Sequence, residues 1–248
     1  MKASKSIVLV SGGLDSAVTA AIAALTTEPA FLHVNYGQRT ERRELKAFEQ
    51  LAAYYKVHQT LVADIRHLSK IGCSALTDLK IKVPKGALGR KNIPVTYVPF
   101  RNAHILSIAT AWAEAIGARD IYIGAVEEDS SGYPDCREEF FKAFEKAIRL
   151  GTATKRPIKI KTPLIHRRKS WIVKTGLRLK APLYLTWSCY KESALACGSC
   201  DSCLLRLRGF KEAGIVDPIP YQKAVSVSRD REGLKDRKLN NVKKEKAG

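Results

Sequence analysis

Residues 8–21, "VLVSGGLDSAVTAA", pass from an apolar run through Ser11, Gly12 and Gly13 straight into small helix formers, with Asp15 and Ser16 in the first turn. Glycines let backbone N–H groups approach an anion closely. A helix start adds four unpaired N–H donors and the positive end of the helix dipole. The stretch Val10, Ser11, Gly12, Gly13, Leu14, Asp15, Ser16 and Ala17 is therefore expected to cradle phosphate. It is not a Walker A loop, because no Gly-Lys-Ser/Thr follows. Nor is it the dinucleotide fingerprint, whose third glycine is replaced by Ser16.

A second group of reactive side chains lies near the other end. "WSCYKESALACGSCDSC" (187–203) sets Cys189, Cys197, Cys200 and Cys203 in a C-x7-C-x2-C-x2-C pattern, with Gly198 and Ser199 turning the chain. Four thiolates at that spacing suit one tetrahedral ion. With every position taken by protein, the site is expected to be structural rather than catalytic. Zinc is the expected ion, and an iron–sulfur cluster is the rival, since soft thiolates serve both. Cys73 and Cys136 stand outside the cluster and read as ordinary cysteines. His33, His58, His67, His104 and His166 show no ligand spacing.

These groups must be positioned by regular elements. Apolar runs predict strands over residues 5–10, 30–35, 59–63, 120–124 and 158–161. Helical periodicity predicts helices over 15–25, 39–55, 101–116, 137–150, 168–179 and 204–212. In the third of these, Ile105, Ile108, Ala109, Trp112 and Ile116 form one stripe; in the fourth, Phe140, Phe141, Phe144 and Ile148 point inward. Residues 66–96 have no clean period and read as an excursion with the character of a mobile lid. Strands alternating with helices predict a doubly wound, Rossmann-like α/β parallel sheet, with ligands beyond the carboxyl ends of the strands. The expected organisation is an α/β domain over 1–186, a metal-binding segment over 187–221 packed on it, and a basic, disordered tail over 222–248. The tail has nine Lys/Arg against four Asp/Glu and no apolar stripe.

The chain of 248 residues is long enough to bury a core without staples. No signal peptide and no membrane-spanning stretch is read, so a cytoplasmic location is expected. The net charge of +19 points to anionic partners, among them nucleotides and RNA.

Ser11-Gly12-Gly13-Leu14-Asp15-Ser16 resembles the SGGxDS pyrophosphate loop of the N-type ATP pyrophosphatases, which split ATP between the α and β phosphates to form adenylates. Further stretches narrow the resemblance: "VNYGQRTERRE" (34–44), "YVPFRN" (97–102), "DSSGYPDCREEF" (129–140), "TPLIHRRKSWIV" (162–173), "WSCY" (187–190), "CGSCDSC" (197–203) and "DPIPY" (217–221). They lie in the order and spacing of the 7-cyano-7-deazaguanine synthases, over about residues 6–221. The resemblance implies the conversion of 7-carboxy-7-deazaguanine, ammonia and ATP into the nitrile through an amide, for queuosine and archaeosine precursors. It also implies one zinc, magnesium and a homodimer. The family usually reads Pro-Gly-Arg-Asn where this chain has Pro99-Phe100-Arg101-Asn102, and phenylalanine lacks glycine's backbone freedom. Trp171 stands where an acidic residue is common.

Chemistry then assigns expected roles. Adenylation gives a carboxylate a good leaving group, and the Ser11–Ser16 backbone would clasp the departing pyrophosphate. Asp15 is expected to hold Mg²⁺ against the phosphates, the alternative being a carboxylate that serves the helix dipole. Arg101 and Lys169 are candidate phosphate contacts beside Asp15 and Ser16, or else part of a solvated basic face. Asp129, Tyr133, Asp135 and Arg137 are candidate substrate contacts. A guanine-like edge offers two donors to a carboxylate, an aromatic stacks on the ring, and an arginine forks to the substrate carboxylate. The competing readings are a tRNA-modifying pyrophosphatase of thiolation or lysidine type, and a relative that modifies a protein or DNA partner. The stretch SGYPDCR (131–137) and the lack of a readable RNA-binding domain disfavour the tRNA-modifying reading and with it direct nucleic-acid binding, and a thiolase would want a free cysteine pair where four of the six cysteines are committed to metal.

Overall fold

The computed structural model describes residues 3–86, 92–127 and 132–222. Five strands, β1 (Ser4–Leu9), β2 (Thr27–Asn35), β3 (Thr60–Asp64), β4 (Asp120–Tyr122) and β5 (Lys159–Lys161), alternate with α1 (Leu14–Ala23), α2 (Glu41–Tyr55), α3 (His67–Ile71), α4 (Arg101–Ile116) and α5 (Glu138–Gly151). Helices α6 (Lys169–Arg178) and α7 (Asp201–Ala213) follow. The sheet is parallel throughout, in the order β3-β2-β1-β4-β5.

Alternation along β1 explains the layering. Ile7 and Leu9 join Leu32, Leu106, Ile121 and Phe141 on one face, whereas Val8 and Val10 join Ala17, Phe31, Phe48 and Leu51 on the other. Successive side chains point to opposite faces, so a run that is apolar at every position becomes a central strand covered on both sides. Helices α4 and α5 cover the first face; α1 and α2 cover the second. A third apolar cluster joins Leu14 and Val18 of α1 to Ile172 and Val173 of α6 and Phe210 of α7.

Helix α4 is rotated relative to the expected stripe. The ridge buried on the sheet is Asn102, Ala103, Leu106, Ala109 and Ala113, with Ile105, Ile108, Trp112 and Ile116 only partly buried beside it. Small residues let the helix axis approach the strands, and the large ones fill its flanks. In α5 the same holds: Phe141 and Ile148 are buried, while Phe140 and Phe144 are partly so.

Over its described residues the excursion after β3 is anchored. The Arg39 side chain donates to the carbonyls of Ala75 (2.6 Å), Asp78 (2.8 Å) and Ile81 (2.6 Å), and Ser74, Ala75 and Leu76 are buried. Further along, the Gly86 N–H donates to the Ser199 carbonyl (2.7 Å), which ties the excursion to the cysteine segment. The "DPIPY" motif has a structural task. Asp217 receives Arg206 through two oxygens (2.7 and 2.9 Å) and the Tyr221 hydroxyl (2.7 Å). Both members of the ion pair are buried, and Arg206 also donates to Thr186, Ser188 and the Leu183 carbonyl. A buried pair survives only when its remaining donors and acceptors are used, as these are. The tail expected over 222–248 lies, from residue 223 on, outside the described residues.

Phe100 occupies the position before α4 in the left-handed region, with φ +56° and ψ +23°. Glycine fills that region freely and phenylalanine does not, so strain is borne locally at this position.

Candidate active site

The sheet order changes direction between β1 and β4, and an open cleft of about 490 Å³ lies beyond their carboxyl ends. Such a switch point leaves a crevice because the loops on either side turn to opposite faces. The loop after β1 forms one wall. Gly12 has φ +88°, and a Cβ there would lie 2.6 Å from the Glu44 carbonyl oxygen. Across α1, a Cβ on Gly124 would lie 2.9 Å from the Asp15 backbone. Glycines on both sides thus let the first turn of α1 sit between α2 and the end of β4. No side chain caps α1; Ser16 Oγ instead donates to the Gly13 carbonyl (2.9 Å), and Gly13, Leu14, Asp15 and Ser16 line the cleft.

Lys169 comes from a residue 154 positions away. Its ammonium donates to both Asp15 oxygens at 2.9 and 2.8 Å, and its side chain is 7% exposed against 30% for Asp15. The lysine stem is held by α7: a Cβ on Gly209 would fall 2.3 Å from Lys169 Cγ. Arg101 opens α4 at the opposite wall. Its Nη1 donates to Tyr36 Oη (3.1 Å), its guanidinium lies 5.1 Å from the centre of that ring, and its buried Nε–H has no partner. A buried cation with an unused donor on a cleft wall suits an incoming anion. Burial pushes the Tyr36 hydroxyl up to about 12, so this tyrosine is a neutral hydroxyl at physiological pH.

The remaining expected contacts separate. Tyr133 lines the cleft, its hydroxyl 2.7 Å from Thr96 Oγ1 and its ring 5.4 Å from that of Tyr97. Asp135 is buried and accepts the Asn102 N–H through Oδ2 (2.9 Å), while Asn102 Nδ2 donates to the Asp135 carbonyl (2.9 Å). It caps the start of α4 and so aims Arg101. Arg137 is exposed at the start of α5 and does not line the cleft. Asp129 lies outside the described residues. Sequence reasoning passed over Glu44, Thr96 and Tyr190, which line the cleft together with Tyr36 just after β2. The signal was present in the stretches "VNYGQRTERRE", "VTYVPFRN" and "WSCY", but nothing local says that three distant segments meet.

The four cysteines converge. Their sulfurs all lie within 4.8 Å of one another, with Cys197 and Cys203 at 3.9 Å. Backbone N–H groups of Lys191, Glu192 and Cys197 point at Cys189 Sγ (3.3–3.4 Å) and that of Ser199 at Cys197 Sγ (3.4 Å). Hydrogen bonds from Cys200 and Cys203 hold Cys189 well below the usual thiol range, and Cys200 is pushed up in return to about 12. Four sulfurs so close need a cation before all can ionise, and this cluster could hold a metal ion. Trp187, buried beside it, donates its backbone N–H to the Gly12 carbonyl (2.8 Å) and its indole N–H to the Glu192 carbonyl (2.9 Å), which links the cluster to the Ser11–Ser16 loop. His33 is structural: it bridges the Val10 carbonyl and Asn35 Oδ1, and burial lowers its pKa, favouring the neutral ring.

A parallel sheet whose switch point carries a Ser-Gly-Gly-Leu-Asp-Ser loop places the protein in the class of N-type ATP pyrophosphatases. The family model "Queuosine biosynthesis protein QueC" matches residues 5–214, and the chain belongs to that family. A 7-cyano-7-deazaguanine synthase of Chloroherpeton thalassium is 54% identical, covering 88% of this chain and 97% of its own. One of Nautilia profundicola is 53% identical, covering 88% and 98%. Among solved structures, the U34-tRNA thiolase NcsA from Methanococcus maripaludis with its [4Fe-4S] cluster is 13% identical, with a TM-score of 0.44 over 73% of this chain and 59% of that one. A likeness that remote adds nothing to the family assignment. No helix among the described residues is long and apolar enough to cross a membrane.

Proposed function

We propose that the protein converts 7-carboxy-7-deazaguanine, ammonia and ATP into 7-cyano-7-deazaguanine. The observation that carries this is the Ser11–Ser16 loop opening into a cleft of about 490 Å³, in a chain of this family. The substrate carboxylate oxygen attacks the α-phosphate of ATP, and pyrophosphate leaves. Ammonia then attacks the acyl carbon, AMP departs and a proton is lost, leaving the amide. The amide oxygen attacks a second ATP in the same way; loss of AMP and of the N–H protons forms the C≡N bond.

In this reading the backbone N–H groups of Gly13, Leu14, Asp15 and Ser16 receive the departing pyrophosphate. Lys169 and Arg101 meet phosphate charge from opposite walls, and the Asp15 carboxylate holds Mg²⁺, which supplies charge neutralisation. Tyr133 offers a ring to the substrate. Asp135 acts through Arg101, Arg137 lies off the cleft at the start of α5, and Asp129 remains a candidate on its sequence alone. The four cysteines hold one zinc. A Zn–S bond of about 2.3 Å places tetrahedral sulfurs about 3.8 Å apart, close to the 3.9 Å between Cys197 and Cys203. A four-iron cluster sets each cysteine on its own iron and so spreads them further. Residues 187–221 then serve as a clamp on the α/β body of 1–186. The reading takes the protein as a cytoplasmic homodimer whose partners are small molecules.

The test mixes metal-loaded protein with ATP, Mg²⁺, ammonium and 7-carboxy-7-deazaguanine and follows products by mass spectrometry, with Asp15→Ala alongside. Substrate-dependent AMP, pyrophosphate and nitrile, all lost in the variant, are expected. ATP cleavage only on addition of tRNA would overturn the reading.

A further inference from the structure

Two carboxylates on the cleft wall have no task in the reaction, and Glu44 is the one whose acceptor atoms are oriented by neighbours. Three lie on its wall: Asp15, Asp201 and Glu44. Asp15 is gripped by Lys169 at the phosphate end. Asp201 begins α7 beneath Gly86, where a Cβ would fall 2.9 Å from its Oδ1. Glu44, on the first turns of α2, is oriented by two neighbours. Its Oε1 accepts the Thr40 hydroxyl (2.6 Å) and its Oε2 accepts Gln38 Nε2 (3.2 Å). Gln38 is itself fixed by the Tyr36 N–H, which donates to its Oε1 (2.9 Å). Each carboxylate oxygen can accept two hydrogen bonds, so one acceptor site remains on each oxygen.

We infer that Glu44 is the specificity-determining acceptor for the two-donor edge of a guanine-like base, an inference that rests on the reaction proposed above. Such an edge presents a ring N–H and an exocyclic amine side by side, and two acceptor sites on one carboxylate match that spacing. Tyr36, Tyr133 and Tyr190 line the same cleft and supply faces on which a flat ring can stack. Asp135, which sequence reasoning put forward for this role, already receives the Asn102 N–H. Burial raises the Glu44 pKa, and Thr40, Gln38 and Arg101 counter that rise. A carboxylate carried into the protein at that expense of desolvation, without an ion-pair partner among the described residues, suits a ligand that brings donors rather than charge.

The experiment compares wild type, Glu44→Gln and Glu44→Asp on 7-carboxy-7-deazaguanine and on its analogue lacking the exocyclic amine. The wild type is expected to prefer the amino substrate by roughly 10- to 100-fold in kcat/KM. Glu44→Gln turns one acceptor into a donor, so it should raise KM for the amino substrate by a similar factor and lose most of the preference, with the KM for ATP little changed. Glu44→Asp keeps the charge but withdraws it, so KM rises while the preference survives; this arm decides the matter if Glu44→Gln does not fold. Unchanged KM and preference in the variants would overturn the assignment while leaving the reaction intact. Failure of the wild type to make nitrile would instead sink the reaction, and the assignment with it.

Discussion

The Asp15–Lys169 pair is unequal, and the inequality predicts an order of stability. The lysine side chain is 7% exposed and the aspartate 30%. Asp15→Asn removes the charge that water can reach and takes that carboxylate away from the ammonium that water cannot reach. Breaking a buried pair in this way costs roughly 3–5 kcal/mol when both partners are fully enclosed. The access of Asp15 to the cleft places this case at the lower end, about 3 kcal/mol. Lys169→Met is the milder change. Its unbranched stem retains the packing against Gly209, and the aspartate left behind can be hydrated from the cleft, so about 1 kcal/mol is expected. For a chain of this size, the unfolding midpoint should fall by about 6–12 °C in the first variant and about 2–4 °C in the second. Both should lose AMP release, because each removes a group that the proposed reaction sets against the phosphates of ATP. Thermal unfolding of metal-loaded protein, followed by a product assay at saturating ATP, reads both effects. If Lys169→Met costs as much stability as Asp15→Asn, the lysine is not the desolvated partner and the reasoning fails.

Two further predictions concern the supports of the site. Phe100 in the left-handed region carries about 1–2 kcal/mol of backbone strain, and its half-exposed ring packs 6.1 Å from Phe140. Phe100→Gly and Phe100→Ala both lose the ring, but only glycine relieves the strain, so Phe100→Gly should be the more stable by about 1 kcal/mol; equal denaturation midpoints would show that the strain is absent. Removing metal with a chelator, or substituting Cys200→Ser, should expose Trp187 and loosen its hydrogen bond to Gly12. Tryptophan fluorescence should move to the red and AMP release should fall together with bound metal. Full activity in metal-free protein would break the proposed link from cluster to loop.

The features legible in the residues are those that short stretches of chain encode. The passage from β1 through Ser11, Gly12 and Gly13 to α1 is encoded within a dozen residues, since glycine content, apolar run and helix start act over a few bonds. The cysteine cluster is legible for the same reason: its four ligands fall within fifteen residues, and their spacing alone brings them together. Alternation of elements was enough for a parallel sheet. Which distant groups meet became visible in the folded chain alone. Lys169 reaches Asp15 across 154 positions, and Asp135 turns out to cap α4 instead of facing the cleft. Glu44 enters the site because Gly12 lets α2 approach the loop. The buried ridge of α4 followed the sheet's demand for small residues, not the most apolar stripe. Such contacts depend on strand order and close packing, which no local pattern of residue types contains.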